Sequence, residues 1–195
     1  MLEARVEVLK RHKGDRSVFL ETGTFRGNGV QAALDAGFTT VRSVEIDRKL
    51  GEQARARFLD DPRVVIFIKD SVDWLPAAAR TWARPVVWLD AHPKMEELLG
   101  SDPCPLLTEI EALRECSPLF MVDDYDALGR DGTDFWHKKV GVVGRSPSQG
   151  EVESAIREIG HYRFFVEDTE RPGKLLVAVP GPETGPLSSE ASLPL

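Results

Sequence analysis

Short apolar or β-branched runs alternate with longer amphipathic segments between residues 18 and 122. Five of the runs predict strands, at residues 18–20, 39–46, 64–68, 85–89 and 119–122. Four of the segments predict helices, at residues 29–36, 48–59, 71–82 and 106–115. The run Val64–Ile68 is apolar at every position, which is typical of a strand buried on both faces. The alternation predicts parallel strands that are joined by crossover helices.

The pattern changes after residue 122. Residues 125–147 are rich in Gly and Asp and predict a long functional or disordered loop. Ser148 and Glu151 have the spacing of a capping box before a predicted helix at 152–159. Two further strands, at 162–166 and 175–179, are close enough to pair as a hairpin. The tail at 181–195 is rich in Pro, Gly, Ser and Glu and predicts disorder.

These elements predict one α/β domain over residues 1–180. Its sheet would be doubly wound and mainly parallel, with helices on both faces. In such sheets ligands bind outside the carboxyl ends of the strands. Candidate binding residues are therefore expected where the predicted strands end.

Composition and charge reduce the number of functional classes to consider. The chain has 195 residues, and 32 acidic against 25 basic residues give a net charge of −7. Such a surface would repel a phosphate backbone, so nucleic acid is not an expected partner. Cys104 and Cys116 lack the spacing of a metal or redox motif and are expected as free thiols. No secretion signal or apolar span of about 20 residues is present, so we expect a cytoplasmic protein that does not enter the membrane.

The most informative motif follows the first predicted strand. It contains Glu21 and three glycines in the spacing Gly23-x-x-x-Gly27-x-Gly29. The G-x-G-x-x-G pattern of dinucleotide-binding enzymes does not occur, which disfavours an oxidoreductase. An acid at Glu21 would suit a ligand with an ammonium or sulfonium charge.

Two later strand ends suit the other parts of a nucleoside. Glu45, at the end of the second predicted strand, can accept hydrogen bonds from both hydroxyls of a ribose. Asp70 and Ser71, after the third, can reach the exocyclic amine of an adenine. The order of the three features favours one nucleoside-bearing ligand across three strand ends.

The motif from Glu21 to Gly27 resembles the E/D-x-G-x-x-x-G motif of class I S-adenosylmethionine-dependent methyltransferases. The resemblance extends from about Val18 to Val179. It implies a Rossmann-like sheet of seven strands with an antiparallel last strand, and S-adenosylmethionine as the methyl donor. The donor-binding residues that it implies are Glu21, Gly23, Thr24, Gly27, Asn28, Glu45, Ile46, Asp70, Ser71 and Asp90.

Three more carboxylates follow the fourth and fifth predicted strands. Asp90 ends the fourth strand, and Asp123 and Asp124 end the fifth. Their pattern resembles metal-dependent O-methyltransferases of the catechol and macrolide-sugar types, which implies Mg²⁺ bound by these three residues. Asp123 and Asp124 could both be ligands only if the strand ends between them. Alternatively, Asp90 binds only the amino group of the donor and the pair caps a loop.

The residue that accepts the proton of the methyl acceptor is left open. His92 and Asp90 are the candidate catalytic residues, and Lys94 and His137 are further candidates. The resemblance favours O-methylation of a small polyol, sugar or phenolic acceptor with help from Mg²⁺. Two alternatives stay open: a metal-independent methyltransferase with His92 as the base, and a nucleoside-binding module without catalysis. A homodimer is compatible with either enzyme.

Overall fold

The computed structural model describes residues 2–91, 104–129, 146–168 and 173–181. The strands are β1 (Val18–Thr22), β2 (Thr40–Glu45), β3 (Val64–Ile68), β4 (Val86–Leu89), β5 (Leu119–Val122), β6 (Tyr162–Asp168) and β7 (Lys174–Pro180). The helices are α1 (Leu2–Lys13), α2 (Asn28–Asp35), α3 (Arg48–Arg57), α4 (Ser71–Thr81), α5 (Leu106–Ala112) and α6 (Gln149–Ile159). A single 3-10 turn follows β5 at Tyr125–Ala127.

The strands form one seven-stranded sheet in the order β3-β2-β1-β4-β5-β7-β6. The first five are parallel, whereas β7 runs antiparallel to both β5 and β6. This arrangement confirms the predicted mainly parallel sheet with an antiparallel last strand. The order reverses between β1 and β4, which places the predicted binding region at the carboxyl ends of these central strands.

Helices cover both faces of the sheet. Alternate residues of β1 point to opposite sides, so that Phe19 and Leu20 are both fully buried but belong to different cores. One core packs β1 against α1, α2 and α3, and the other packs it against α4, α5 and α6. The two cores confirm the predicted double-wound architecture.

The prediction that β3 is buried on both faces is wrong. Val65 is 39% exposed, and in β3 only Ile66 is fully buried, at 3% exposure. Among the described strands β3 pairs with β2 alone, so it forms an edge of the sheet. The side chain of Arg55 donates a hydrogen bond of 2.8 Å from Nε to the carbonyl of Ile66, which helps to protect the edge.

Local signals determine several helix boundaries. The capping box predicted at Ser148 and Glu151 is present, and α6 begins at Gln149, three residues before the predicted start. In contrast, α3 and α5 end at Arg57 and Ala112, two and three residues before their predicted ends. Residues 2–13 form α1, to which the pattern of apolar runs had assigned no element. In the part of the chain that the structure describes, no helix has the length and apolar character needed to cross a membrane.

Candidate functional site

Acidic side chains collect at the carboxyl edge of the sheet, as the sequence predicts. Glu21 is the second-last residue of β1 and Glu45 is the last residue of β2. Asp90 and Asp123 directly follow β4 and β5. The parallel orientation of the four strands brings these residues to one edge, on both sides of the point where the strand order reverses.

The glycine loop between β1 and α2 is fastened to both neighbouring strands. Gly23 has a φ of 81° and donates a backbone hydrogen bond of 2.9 Å to the carbonyl of Val44 at the end of β2. A Cβ atom at Gly23 would lie 2.2 Å from the carbonyl oxygen of Asp90. Glycine is therefore required here by the left-handed backbone and by the close approach to the end of β4.

The other two glycines of the motif pack against the protein itself. Gly27 has a φ of 76°, and a Cβ atom there would lie 2.6 Å from the ring of Phe58. A Cβ atom at Gly29 would lie 1.7 Å from Oε1 of Glu21. The spacing of the glycines thus lets α2 approach β1 and α3 closely, and fixes the shape of the loop from its inner side.

Glu45 is held by backbone groups on both sides. Its Oε2 accepts a hydrogen bond of 2.7 Å from the backbone N–H of Phe25, and its Oε1 accepts one of 3.0 Å from that of Asp47. Glu45 is 6% exposed, whereas Phe25 and Ile46 beside it are 53% and 47% exposed. Each carboxylate oxygen has a second lone pair. The site thus presents an oriented acid and, on neighbouring residues, two exposed apolar side chains.

Phe25 has an unusual backbone. Its φ of 47° lies in the left-handed region, which a bulky residue rarely adopts. The conformation directs the Phe25 N–H at Glu45 and exposes the aromatic ring at the surface of the loop. Such strain is often kept at binding loops, where the surrounding structure holds the residue in place.

Glu21 supports the loop from below. It is 1% exposed, and its Oε2 accepts a hydrogen bond of 2.6 Å from the hydroxyl of Ser43, which is itself hydrogen-bonded to Thr24. Burial raises the pKa of Glu21 to about 8, with a further contribution from the charge of Asp90 and an opposing one from Ser43. Glu21 is therefore largely protonated near neutral pH, and its predicted contact with a positively charged ligand stays a prediction.

The remaining predicted donor-binding residues lie around the same edge. Asn28 is the exposed first residue of α2, and its Oδ1 accepts a hydrogen bond of 3.2 Å from Nη1 of Arg57. Asp70 is the N-cap of α4 and accepts a hydrogen bond of 3.0 Å from the Val72 N–H, while Ser71 is buried. The structure thus gives Asp70 a helix-capping role, and its contact with an adenine stays a prediction.

A second group of side chains lies at the ends of β4 and β5. Nη2 of Arg5, from α1, is 2.8 Å from Oδ2 of Asp123 and 3.8 Å from Oδ2 of Asp90. Asp124 has a left-handed φ of 49°, and its backbone N–H donates a hydrogen bond of 3.0 Å to Oδ1 of Asp123. Both oxygens of Asp123 therefore already accept hydrogen bonds from within the chain.

Arg5 also contacts the sheet. Its guanidinium lies over the ring of Trp88 in β4, with its carbon 5.0 Å from the ring centroid. Trp88 is 1% exposed, and its indole N–H has no hydrogen-bond partner among the described residues. The arginine is thus held by an aromatic face below it and by carboxylates at its end.

Neighbouring charges and burial determine the pKa of Asp123. Burial and the charge of Asp90 raise the pKa of Asp123 to about 6, and Arg5 acts in the opposite direction. Among the described residues, no group of three or more His, Cys, Asp or Glu side chains is arranged to hold a metal ion. Asp90, Asp123 and Asp124 consequently do not fit the magnesium site that the sequence predicts, because a guanidinium already lies between the two closest carboxylates.

His92 lies outside the described residues, as do Lys94 and His137. The roles suggested for them as a base stay predictions.

Sequence reasoning missed three residues of the site. Ser43 carried a detectable signal, because it shares one strand face with Glu45 through the two-residue period of β2. Phe25 gave no signal for its left-handed backbone. Arg5 gave none either, since it is 118 residues from Asp123 and only the folded chain brings the two together.

Comparison with known proteins supports the fold. No family model matches the chain, and no curated protein matches it in sequence. The PH0226 protein from Pyrococcus horikoshii OT3 has a similar structure, with a TM-score of 0.60 and 15% identity over 92% of this chain and 89% of that one. The chain therefore has a Rossmann-like α/β fold with a mainly parallel seven-stranded sheet.

Two further solved structures show how widely this fold is used. Magnesium protoporphyrin IX methyltransferase (ChlM) from Synechocystis PCC 6803, with bound SAH, has a TM-score of 0.58 and 14% identity over 92% of this chain and 81% of that one. Spermidine synthase from Thermotoga maritima has a TM-score of 0.57 and 14% identity over 91% of this chain and 58% of that one. Since the fold serves more than one reaction, the function has to be argued from the site.

Proposed function

We propose that the chain is an S-adenosylmethionine-dependent methyltransferase that acts on a small-molecule acceptor. The observation that carries the proposal is the orientation of Glu45 by the backbone N–H of Phe25 in the glycine loop, with exposed apolar side chains on Phe25 and Ile46. The oriented carboxylate suits the hydroxyls of a ribose, and the apolar side chains suit the faces of an adenine. The fold supports this assignment, because a similar structure, that of ChlM, contains SAH.

The other predicted donor-binding residues surround this point. We assign Asp70 and Ser71 to the adenine edge, and the loop from Gly23 to Asn28 to the amino-acid part of the donor. No side chain caps the first turn of α2. Backbone N–H groups at such a helix start suit a carboxylate, which the amino-acid part of the donor carries.

The acceptor side is assigned to the ends of β4 and β5. The bound donor would supply a methyl group on a positively charged sulfur. We propose that an acceptor hydroxyl, of a polyol, sugar or phenol, lies beside Asp90, whose carboxylate takes the proton as the oxygen is methylated. Asp90 is assigned this role because it directly follows β4, next to the strand-order reversal between β1 and β4. His92 is the alternative base.

We propose that this reaction needs no resident metal ion. Arg5 already supplies a positive charge between Asp90 and Asp123, and both oxygens of Asp123 are engaged. Methyl transfer should therefore continue in the presence of a chelator such as EDTA. A loss of transfer with EDTA that added Mg²⁺ restores would contradict this part of the proposal.

Calorimetric titration tests the donor assignment. We expect S-adenosylmethionine and S-adenosylhomocysteine to bind with micromolar dissociation constants, and NAD not to bind. Binding of NAD alone would overturn the proposal. A second assay with donor labelled in its methyl group should then show transfer to a member of a panel of hydroxyl and amine acceptors. Donor binding without transfer to any of them would favour the non-catalytic nucleoside-binding module.

A further inference from the structure

Arg5 lies at the position where the sequence predicts a divalent cation. We propose that its guanidinium is the resident cation of the acceptor site, and that it positions the Asp90 and Asp123 carboxylates in place of a metal ion. The inference rests on the proposed function for the identity of this region as the acceptor site. The contacts that place the guanidinium there are independent of that assignment.

The contact differs from an ordinary surface ion pair. The Arg5 side chain is 27% exposed and that of Asp123 only 8% exposed, so the pair is partly shielded from water. Exposed pairs contribute little to stability, whereas breaking a buried pair leaves a costly unpaired charge. On the same helix, Val6 and Leu9 are buried in the core and fix the position of α1. Arg5 is thus supplied by a packed helix.

The surroundings of the guanidinium define its orientation. Its carbon lies 5.0 Å from the centroid of the Trp88 ring, and its Nη2 points at Asp123. Asp124 donates its backbone N–H to the second oxygen of Asp123. A hydrated Mg²⁺ ion would have to lose water and displace Arg5 to bind there. The guanidinium of Arg5 therefore occupies the place that a metal ion would take, and it stays positively charged at every pH at which the protein would be studied.

Removing the guanidinium should open the acidic group to a metal ion. In Arg5→Met the side chain still covers Trp88 but carries no charge, which removes the guanidinium from beside Asp123 and Asp90. We expect this variant to bind one Mn²⁺ ion at least tenfold more tightly than the wild-type chain. Mn²⁺ suits oxygen ligands as Mg²⁺ does, and its free concentration can be followed by electron paramagnetic resonance.

Three further variants separate this effect from a general loss of charge. Arg11→Met removes another arginine of α1, which pairs with Glu167 away from the site, and should bind Mn²⁺ as the wild type does. Arg5→Lys keeps the positive charge and should also behave as the wild type does. The double variant with Arg5→Met and Asp123→Asn should lose the gain.

Either of two results would overturn the inference: wild-type chain that binds Mn²⁺ as tightly as Arg5→Met, or an Arg5→Met variant without a gain. If Arg5→Met does not fold, Arg5→Gln replaces it in the same titration with the same expected result. Calorimetry with S-adenosylmethionine on the same samples keeps the two proposals apart. An absence of donor binding would overturn the proposed function, whereas the Mn²⁺ result decides the role of Arg5.

Discussion

The two halves of the carboxyl edge are built in different ways. On the proposed donor side, backbone N–H groups and the Ser43 hydroxyl join the glycine loop to β2 through hydrogen bonds between residues at most 22 positions apart. On the proposed acceptor side, Asp90 and Asp123 both face the side chain of Arg5, which lies 118 residues from Asp123 in the chain. The first half is a local structure of the chain, and the second exists only after the whole sheet and α1 have assembled.

The difference affects how each half responds to substitution. A backbone N–H survives any substitution except proline, so the hydrogen bonds to Glu45 depend mainly on the conformation of the loop. The guanidinium beside Asp90 and Asp123 belongs to one side chain and can be removed by one substitution. We therefore expect the donor side to be sensitive to glycine replacements and the acceptor side to be sensitive to charge replacements.

The largest expected effect is that of Gly23→Ala, which would disturb both halves at once. The new Cβ would lie 2.2 Å from the Asp90 carbonyl oxygen, and the φ of 81° would add strain. Because the obstacle is backbone, β1 and β4 would have to separate at their carboxyl ends. We expect a loss of stability of about 3 kcal/mol and more than about 100-fold weaker donor binding, measured by urea denaturation and calorimetry.

Gly37→Ala is the matched control for this replacement. Gly37 has a φ of 84°, but a Cβ atom there would meet nothing within 4 Å. It should cost about 1 kcal/mol from backbone strain alone and leave donor binding unchanged. If Gly23→Ala behaved like Gly37→Ala, the loop would not depend on its contact with Asp90.

The second prediction isolates the donor side. Glu45→Gln keeps the size of the side chain but replaces one acceptor oxygen with an NH₂ group, which faces one of two backbone N–H donors. We expect donor affinity to fall by about 10- to 100-fold, since a hydrogen bond to a charged group contributes about 1.5–3 kcal/mol.

Glu52→Gln is the control for Glu45→Gln. Glu52 pairs with Arg48 on the exposed side of α3, and its replacement should leave donor affinity within about twofold. Equal affinities of the two variants in calorimetry would contradict the assignment of Glu45 to the donor.

The sequence was enough to locate features that depend on residues close together in the chain. The motif around Gly23 and the acid at Glu45 lie at strand ends that the apolar pattern locates. It failed for the burial of Val65, because an apolar run does not reveal whether its strand lies at the centre or the edge of a sheet. It also did not place Arg5 beside Asp90 and Asp123, because Arg5 is distant from both of them in the chain. The topology decides both of these points.

The third prediction concerns the pH dependence of stability. Glu21 has a pKa of about 8 in the folded chain, above its usual value of 4.5. The folded state therefore holds a proton that the unfolded state releases, and stability falls as the pH rises from about 4.5 to about 8. Glu21→Gln cannot titrate. Urea denaturation should therefore show that the free energy of unfolding of Glu21→Gln, relative to that of wild type, increases by about 2 kcal/mol from pH 6 to pH 7.5.

Glu52→Gln serves as the control here as well. Its difference from wild type should not change over this range of pH, because Glu52 is exposed on α3. A constant difference for Glu21→Gln too would show that Glu21 is ionised in the fold, and would restore its predicted role as a counter-charge for the ligand.

The smallest expected effect distinguishes a binding residue from a capping residue. Asp70 caps α4 and is also assigned to the adenine, whereas Ser148 caps α6. Replacing either by Ala should cost about 1 kcal/mol of stability, because each loses a side-chain acceptor for a helix N–H. Only Asp70→Ala should weaken donor binding in calorimetry, by about threefold to tenfold. If both variants bound the donor as the wild type does, the donor side would end at Glu45, and the third strand would contribute only its helix cap.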